Sequence, residues 1–471
     1  MRFDLQAPSL GEYHWGTLFC RFSPAAPMTK EMFFPMIAAE TQGRAAWNTE
    51  VEFRTTIAFL HEVSHLAQDL TTGLGHADYL ASRSVASLQL HFAAALMRTA
   101  QARGSDVRPP YRCDAGLALV DIAGYIDSTR ERLGYLPFDA LSHARRERIR
   151  GLIAKSAGRE ISDAQLFELS TQALLESDAA EAVATRMIAG GLTQEQQAIR
   201  QKNIALLDRT TLGIEYSAPT FHIATLVEHH FGLDEEQTEG VAARLIGFLI
   251  DSALTVPPPE LVAAHGQSID DYDPSVKFSR LLIGLQQVKG AETNELLMAL
   301  SDTRGSGVER VVLRHMGCDY LTAEAIYAEW LRIFDGQSQE SMVADARAVA
   351  CRYRMNNGVL VNRRDLHLLL AMEVPILHLQ QGHGFVKHDW GLRIADVEKS
   401  AALTTELLDC FMLDELTEFL FSTAEFRCPL AAADVCPVSE DGCVAGFAHP
   451  AQIPSWPDCR ARQALDAVGL V

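Results

Sequence analysis

Residues 49–73, TEVEFRTTIAFLHEVSHLAQDLTTG, have the pattern of one amphipathic helix. Thr49 and Glu52 form the signature of a capping box, which predicts a helix start at this point. At about 100° per residue, the apolar side chains fall on one broad side of the helix, and His61 and His65 lie on the other side. A helix with so broad an apolar side needs other elements to cover it, which favours a core of several helices.

Most of the chain beyond this helix has helical patterns too, including residues 118–136 and a segment starting at Ser162. The apolar run at 366–379 is interrupted by Pro375, which predicts a kink or a break there. The sequence VPPPE at 256–260 is the clearest helix breaker. These features predict four parts: an N-terminal cap or hairpin at 1–47, a helical core at 48–255, a helical accessory region at 256–426 and a Cys-rich tail at 427–471.

Composition and charge exclude several kinds of partner. The net charge is −20 over 471 residues, which argues against nucleic acid and anionic lipid as main partners. The N-terminal residues lack the apolar stretch of a signal peptide, and no run of 18 apolar residues is present. The nine cysteines are unevenly spaced. We therefore expect a cytoplasmic protein with free thiols and no membrane span.

The order H-E-x-x-H at residues 61–65 points to metal chemistry. His61 and His65 are four residues apart, so both rings can reach one zinc ion from the same helix face. Glu62 is rotated by about 100° and is close enough to act as a general base on zinc-activated water without being a ligand. The alternative is an ordinary solvated helix face that happens to carry two histidines.

A catalytic zinc site needs a third protein ligand. The metzincin class would need glycine and histidine where this chain has Gln68 and Thr71, so that class is excluded. The stretch ALLESDAAEAVATRM resembles the ligand helix of the gluzincin class, in which a glutamate completes the site. That resemblance makes Glu176 the expected third ligand, with Glu181 and Asp178 as alternatives. An alanine-rich helix with solvated carboxylates remains the competing interpretation.

Helical patterns dominate between a short irregular or β N-terminal segment and a Cys/Pro-rich C-terminal tail, so the predicted fold is mainly α. Within it, the resemblance to gluzincin metallopeptidases implies a multi-helix, zincin-like catalytic core. It also implies a side chain that stabilises the oxyanion of the tetrahedral intermediate. Tyr216, His229 and His230 lie downstream of the ligand helix and are the candidates for that role.

Four of the nine cysteines fall in the tail, at positions 428, 436, 443 and 459. Proline or glycine next to several of these cysteines favours tight turns that bring thiolates together. Cys428, Cys436, Cys443 and Cys459 are therefore candidate ligands of a second, structural metal, zinc or an iron–sulfur cluster. Free thiols in a loop-rich tail are the alternative, because the spacings are not C-x-x-C.

Together these features predict a zinc-dependent metallohydrolase that cleaves peptide bonds, with Zn²⁺ held by His61, His65 and Glu176 and with Glu62 as the general base. The same residues could hydrolyse another amide or an ester. A third hypothesis is a non-catalytic regulatory or interaction protein that keeps the H-E-x-x-H helix. A protein or peptide substrate and a regulatory protein partner are the expected partners.

Overall fold

The fold is taken from a computed structural model of the full chain. It describes residues 11–15, 19–22, 36, 39, 44–102, 135–188, 191–203, 214–231, 233, 235–301, 306–314, 320–338, 341–357, 376–381 and 384–388, and from residue 406 onward it describes 406, 409, 412, 413, 416, 419, 425–432, 436, 438, 443 and 446–469. The helix expected at 118–136 lies mostly outside this part, and Tyr135 and Leu136 at its end are not helical.

The described part of the chain is mostly helical, as the mainly α fold class predicts. Its helices are α1 Glu50–Thr71, α2 Gly73–Ala102, α3 His143–Ala157, α4 Asp163–Glu168, α5 Thr171–Ile188, α6 Gln194–Lys202, α7 Ile214–Phe231, α8 Glu235–Leu254, α9 Pro259–Ala264, α10 Pro274–Gln287, α11 Ala291–Ser301, α12 Ser306–Leu313, α13 Ala323–Asp335, α14 Met342–Asn357, α15 Pro429–Ala432 and α16 Arg460–Ala467. Short 3-10 turns occur at Phe138–Ala140, Ile269–Tyr272 and Pro450–Gln452.

Helix α1 begins at the predicted capping box. The Glu52 backbone N–H donates to the Thr49 hydroxyl at 3.2 Å, and the Thr49 N–H donates to the Glu52 carboxylate at 3.0 Å. The next helix begins at Gly73, where an added Cβ would come within 2.1 Å of the Val256 carbonyl oxygen. Only glycine allows this close approach, so the corner between α1 and α2 packs directly on the start of the VPPPE turn.

Two large apolar cores hold the helices together. One core joins the apolar side of α1 to α13 and α14, with Phe53, Trp330 and Phe334 among its buried members. The other core joins the first turns of α5 to α7, α8, α10, α11 and α12. Both cores include residues from before and after 256–260, so the predicted core and accessory regions pack directly on each other.

The accessory region predicted as helical also contains two strands. Strands β1 Gly11–His14 and β2 Phe19–Phe22 pair antiparallel, β2 pairs in parallel with β3 Ile376–Gln381, and β3 pairs antiparallel with β4 Gly384–His388. The region 256–426, predicted as a helical accessory region, thus includes β3 and β4 beside its helices. The kink predicted at Pro375 lies outside the described residues, and the end of the same apolar run, 376–379, belongs to β3.

Within the residues described, none of the helices combines the length and the apolar character that crossing a membrane would require.

Candidate metal centre

The three residues predicted as ligands come together from two packed helices. His61 and His65 lie four residues apart on α1, and Glu176 lies on α5, which packs along α1. Their side chains are 18%, 6% and 22% exposed, so the cluster is embedded but open on one side. In the part of the chain that the structure describes, this is the one group of His, Cys, Asp or Glu with three ligand atoms within 4.8 Å of one another.

The distances between these ligand atoms fit one zinc ion. His61 Nε2 lies 3.0 Å from Glu176 Oε2 and 3.1 Å from His65 Nε2, and His65 Nε2 lies 3.5 Å from Glu176 Oε2. Tetrahedral ligands at about 2.0–2.1 Å from zinc are roughly 3.3 Å apart. A solvated helix face is the wrong interpretation of this side of α1, because His65, Gln68 and Asp69 are all buried.

Gln68 orients one ligand and links the two helices. Its amide N–H donates to the Leu175 carbonyl oxygen at 3.0 Å and to the Asp178 carboxylate, so its Oε1 must act as the acceptor for His65 Nδ1 at 2.8 Å. This hydrogen bond turns His65 Nε2 toward Glu176. Asp178 is thus bound to Gln68 rather than placed among the ligand atoms. Gln68, which stands where the metzincin pattern requires glycine, therefore positions the His65 ring.

If this group binds zinc, Gln68→Met is expected to weaken that binding by about 10- to 100-fold, because His65 loses the hydrogen bond that fixes its ring. Competition with a chromogenic chelator measures this affinity. Gln194→Met changes an exposed glutamine on α6 and serves as the control. Equal zinc affinity in the two variants would remove the positioning role.

The electrostatics of the cluster show how strongly its members interact. Burial disfavours the charged form of His65, but interactions with Glu176, Glu62 and Gln68 together outweigh it and raise the pKa of His65 to about 9. Burial acts in the opposite direction on Glu176, but its interactions with His65 and His61 hold the pKa of this carboxyl well below its usual range. A cation at this position would therefore meet an ionised carboxylate and would displace a proton from His65.

Glu62 lies beside the cluster without belonging to it. Its side chain is buried at 7% exposure on the same helix. Its carboxylate is close enough to His65 to contribute to the raised pKa of that histidine. A carboxylate next to the ligands but outside the ligand set is what a general base at this site requires.

Aromatic side chains absent from the sequence-based prediction surround His65. Tyr13 and Trp15, in and directly after β1, lie 6.3 and 6.1 Å from His65 between ring centroids. Tyr135 lies 5.1 Å from Trp15, again between ring centroids. Burial, the Glu176 carboxylate and Asp78 all raise the pKa of Tyr135, so its phenol stays protonated and can donate a hydrogen bond. The aromatic run YHW was the one local signal for this group.

Of the oxyanion candidates predicted from the sequence, one lies at the site and one lies far from it. The Tyr216 ring centroid lies 5.8 Å from that of His61, which brings this tyrosine to the site. His229 is exposed and 13 residues farther along α7, about 20 Å away along the helix axis. The structure therefore does not bring His229 to the cluster, and the side chain of His230 lies outside the described part. Glu181 is not one of the grouped ligand atoms either.

A cleft begins at Tyr135. The cleft is lined by Gln172, which lies one turn before Glu176 on α5. Apolar side chains from α2, from the segment before α3 and from α3 also line it. These apolar side chains include Leu74, Leu136, Phe138, Leu141 and Ile149. The cleft and the ligand cluster share helix α5, but none of His61, His65 and Glu176 lines the cleft.

Comparison with known proteins gives no relative: the chain matches no protein-family model, no curated protein and no solved structure.

Proposed function

We propose that this protein is a zinc-dependent hydrolase that cleaves peptide bonds. The observation that carries the proposal is the spacing of 3.0, 3.1 and 3.5 Å among His61 Nε2, His65 Nε2 and Glu176 Oε2, which fits zinc ligation. The resemblance of both motif helices to the gluzincin class supports the same assignment. Partial exposure of His61 and Glu176 leaves one side of the cluster for water and substrate.

Each residue has a distinct role in the proposed reaction. His61, His65 and Glu176 would hold the zinc, which supplies polarisation of water and of the substrate carbonyl. Glu62 would accept a proton from the attacking water and donate it to the leaving nitrogen. Tyr135, kept neutral, would donate a hydrogen bond to the carbonyl oxygen as negative charge develops there.

Metal analysis tests the proposal directly. The purified protein, loaded with Zn²⁺ and dialysed, is expected to retain about one tightly held zinc ion that His61→Ala and His65→Ala lose. His229→Ala, at an exposed histidine on α7, is the matched control and should bind zinc like the wild type. A wild-type protein with intact helices and no zinc affinity at these residues would overturn the proposal.

Tyr135→Phe is expected to lower kcat for peptide hydrolysis by about 100-fold while leaving the zinc content unchanged, because a donor to the developing oxyanion is lost. Tyr216→Phe is the matched comparison, since Tyr216 is the candidate from the sequence and lies against His61. A large loss in Tyr216→Phe and none in Tyr135→Phe would transfer the role to Tyr216.

A binding protein without catalysis is the second candidate function. For such a protein, zinc would be bound but a mixture of unstructured peptides would not be cleaved, and Glu62→Gln would change neither result.

A further inference from the structure

The four tail cysteines come together around a third, smaller core. Cys428, Cys443 and Cys459 are buried and Cys436 is partly buried, and all four are free thiols. They belong to or pack against one apolar cluster that also contains Leu416, Phe426 and Leu465. Cysteines separated by 7, 6 and 15 residues in the sequence thus share one site in the fold.

Backbone pairing brings two of the cysteines side by side. Phe426 and Phe447 exchange two backbone hydrogen bonds of 2.9 Å, and the Cys428 N–H donates to the Cys443 carbonyl oxygen at 3.2 Å. Cys459 stands at the N-cap position of α16, and its N–H donates to the Trp456 carbonyl oxygen at 3.1 Å.

The thiols interact with one another electrostatically. Burial raises the pKa of Cys428 to about 11, and the nearby Cys436 and Cys459 thiols act in the same direction. Burial also raises the pKa of Cys459, with contributions from Cys436 and Cys443. Backbone N–H groups of residues 430 and 431 oppose the rise at Cys428, and those of 461 and 462 oppose it at Cys459. N–H groups directed at sulfur stabilise a thiolate once a metal replaces the proton.

We propose that Cys428, Cys436, Cys443 and Cys459 together bind a thiophilic metal centre that holds the tail in its fold. Four converging thiols without a disulfide, in a loop-rich segment with a small core, are the setting in which a bound metal supplies folding energy. This site is separate from the His61 site and uses different ligand chemistry.

The spacing of the sulfurs bears on the kind of centre. In the described part of the chain the cysteines do not form a group of three with sulfurs within 4.8 Å of one another. One zinc ion with Zn–S bonds of about 2.3 Å would need sulfurs roughly 3.8 Å apart. In a [4Fe–4S] cluster each thiolate binds a different iron, so the sulfurs stand farther apart. No three of these sulfurs are thus placed for a single zinc ion, whereas a cluster with several iron atoms accepts more widely separated thiolates.

The test uses the full chain carrying His65→Ala, so that any retained metal belongs to the tail. The protein is purified without oxygen from cells supplied with iron and zinc, and iron, zinc and acid-labile sulfide are measured per chain. We expect about four iron and four sulfide with visible charge-transfer absorption. About one zinc without sulfide would also support the metal centre and would assign it to zinc.

Adding Cys436→Ser should reduce this metal to background, because one of the four ligands is lost. Cys436 is the least buried of the four cysteines, so this replacement disturbs the packing least. Cys351→Ser, at a buried cysteine outside the tail, is the matched control and should retain the metal. No metal in His65→Ala, or equal metal with and without Cys436, would overturn the proposal.

A second measurement does not depend on the folding of a cysteine variant. Metal-free His65→Ala is titrated with Cd²⁺, and thiolate-to-cadmium charge-transfer absorption is recorded. Saturation at a stoichiometric amount with protection of four thiols from a thiol reagent supports the site. No charge-transfer band would overturn it, and neither result alters the zinc test at His61.

Discussion

Glu62→Gln is expected to lower kcat for peptide hydrolysis by about 10²- to 10⁴-fold and to leave the bound zinc in place. The amide keeps the shape of the side chain but cannot accept a proton from water. Glu62 is buried beside His65 and lies outside the group of ligand atoms, so its replacement leaves the three ligands intact. Hydrolysis is measured as new amino termini released from a mixture of unstructured peptides, alongside zinc per chain.

Glu181→Gln is the matched control for this prediction. Glu181 lies on α5 in the same ligand helix as Glu176 but outside the ligand group, so its amide variant should hydrolyse peptides like the wild type. Loss of zinc in Glu62→Gln would mean that Glu62 contributes to metal binding. Full hydrolysis in Glu62→Gln would exclude it as the base and would favour the non-catalytic hypothesis.

Local patterns predicted that His61, His65 and Glu176 form one group because each of these residues is encoded in one short segment. The capping box at Thr49 and the four-residue spacing of His61 and His65 depend on helix geometry alone. Glu176 required one further assumption, that α5 packs along α1. Val183 and Met187 on α5 are buried in the same apolar core as the apolar side of α1.

The surroundings of the ligands could not be predicted in the same way. Tyr135 lies at the end of a segment with a helical pattern yet is not helical, and its backbone N–H donates to the Asp78 carboxylate on α2 at 2.6 Å. Trp15 reaches His65 from the N-terminal hairpin, about 50 residues before it in the chain. Such long-range placements leave no periodic signal in the sequence.

The partners of Asp69 could not be predicted from local sequence patterns either. Asp69 lies one turn after His65 on α1, where helix geometry alone would allow it to partner that histidine, but Gln68 accepts the His65 hydrogen bond. The Asp69 carboxylate instead binds Arg347 at 2.7 Å and accepts a hydrogen bond from the Tyr13 hydroxyl at 2.7 Å. Arg347 lies 278 residues later on α14, a pairing that no local rule connects with α1.

Arg347→Met is expected to lower the free energy of unfolding by about 3–5 kcal/mol, because it leaves the Asp69 carboxylate buried without its cation. Both side chains of this pair are fully buried. Arg347 also donates to the Asp69 carbonyl oxygen at 2.6 Å, and its guanidinium lies 4.5 Å from the Tyr79 ring centroid. Urea unfolding of the full chain, followed by circular dichroism and by tryptophan fluorescence, measures the loss.

Arg352→Met is the matched control because Arg352 lies on the same helix in an exposed ion pair with Asp335. Its loss should change the free energy of unfolding by less than about 1 kcal/mol. Arg347→Met combined with Asp69→Leu should recover part of the stability, since no charge is then buried alone. Equal effects of Arg347→Met and Arg352→Met would contradict a role for the buried pair. Asp69 also accepts a hydrogen bond from Tyr13, whose ring lies against His65. A loss of stability in Arg347→Met should therefore be accompanied by weaker zinc binding.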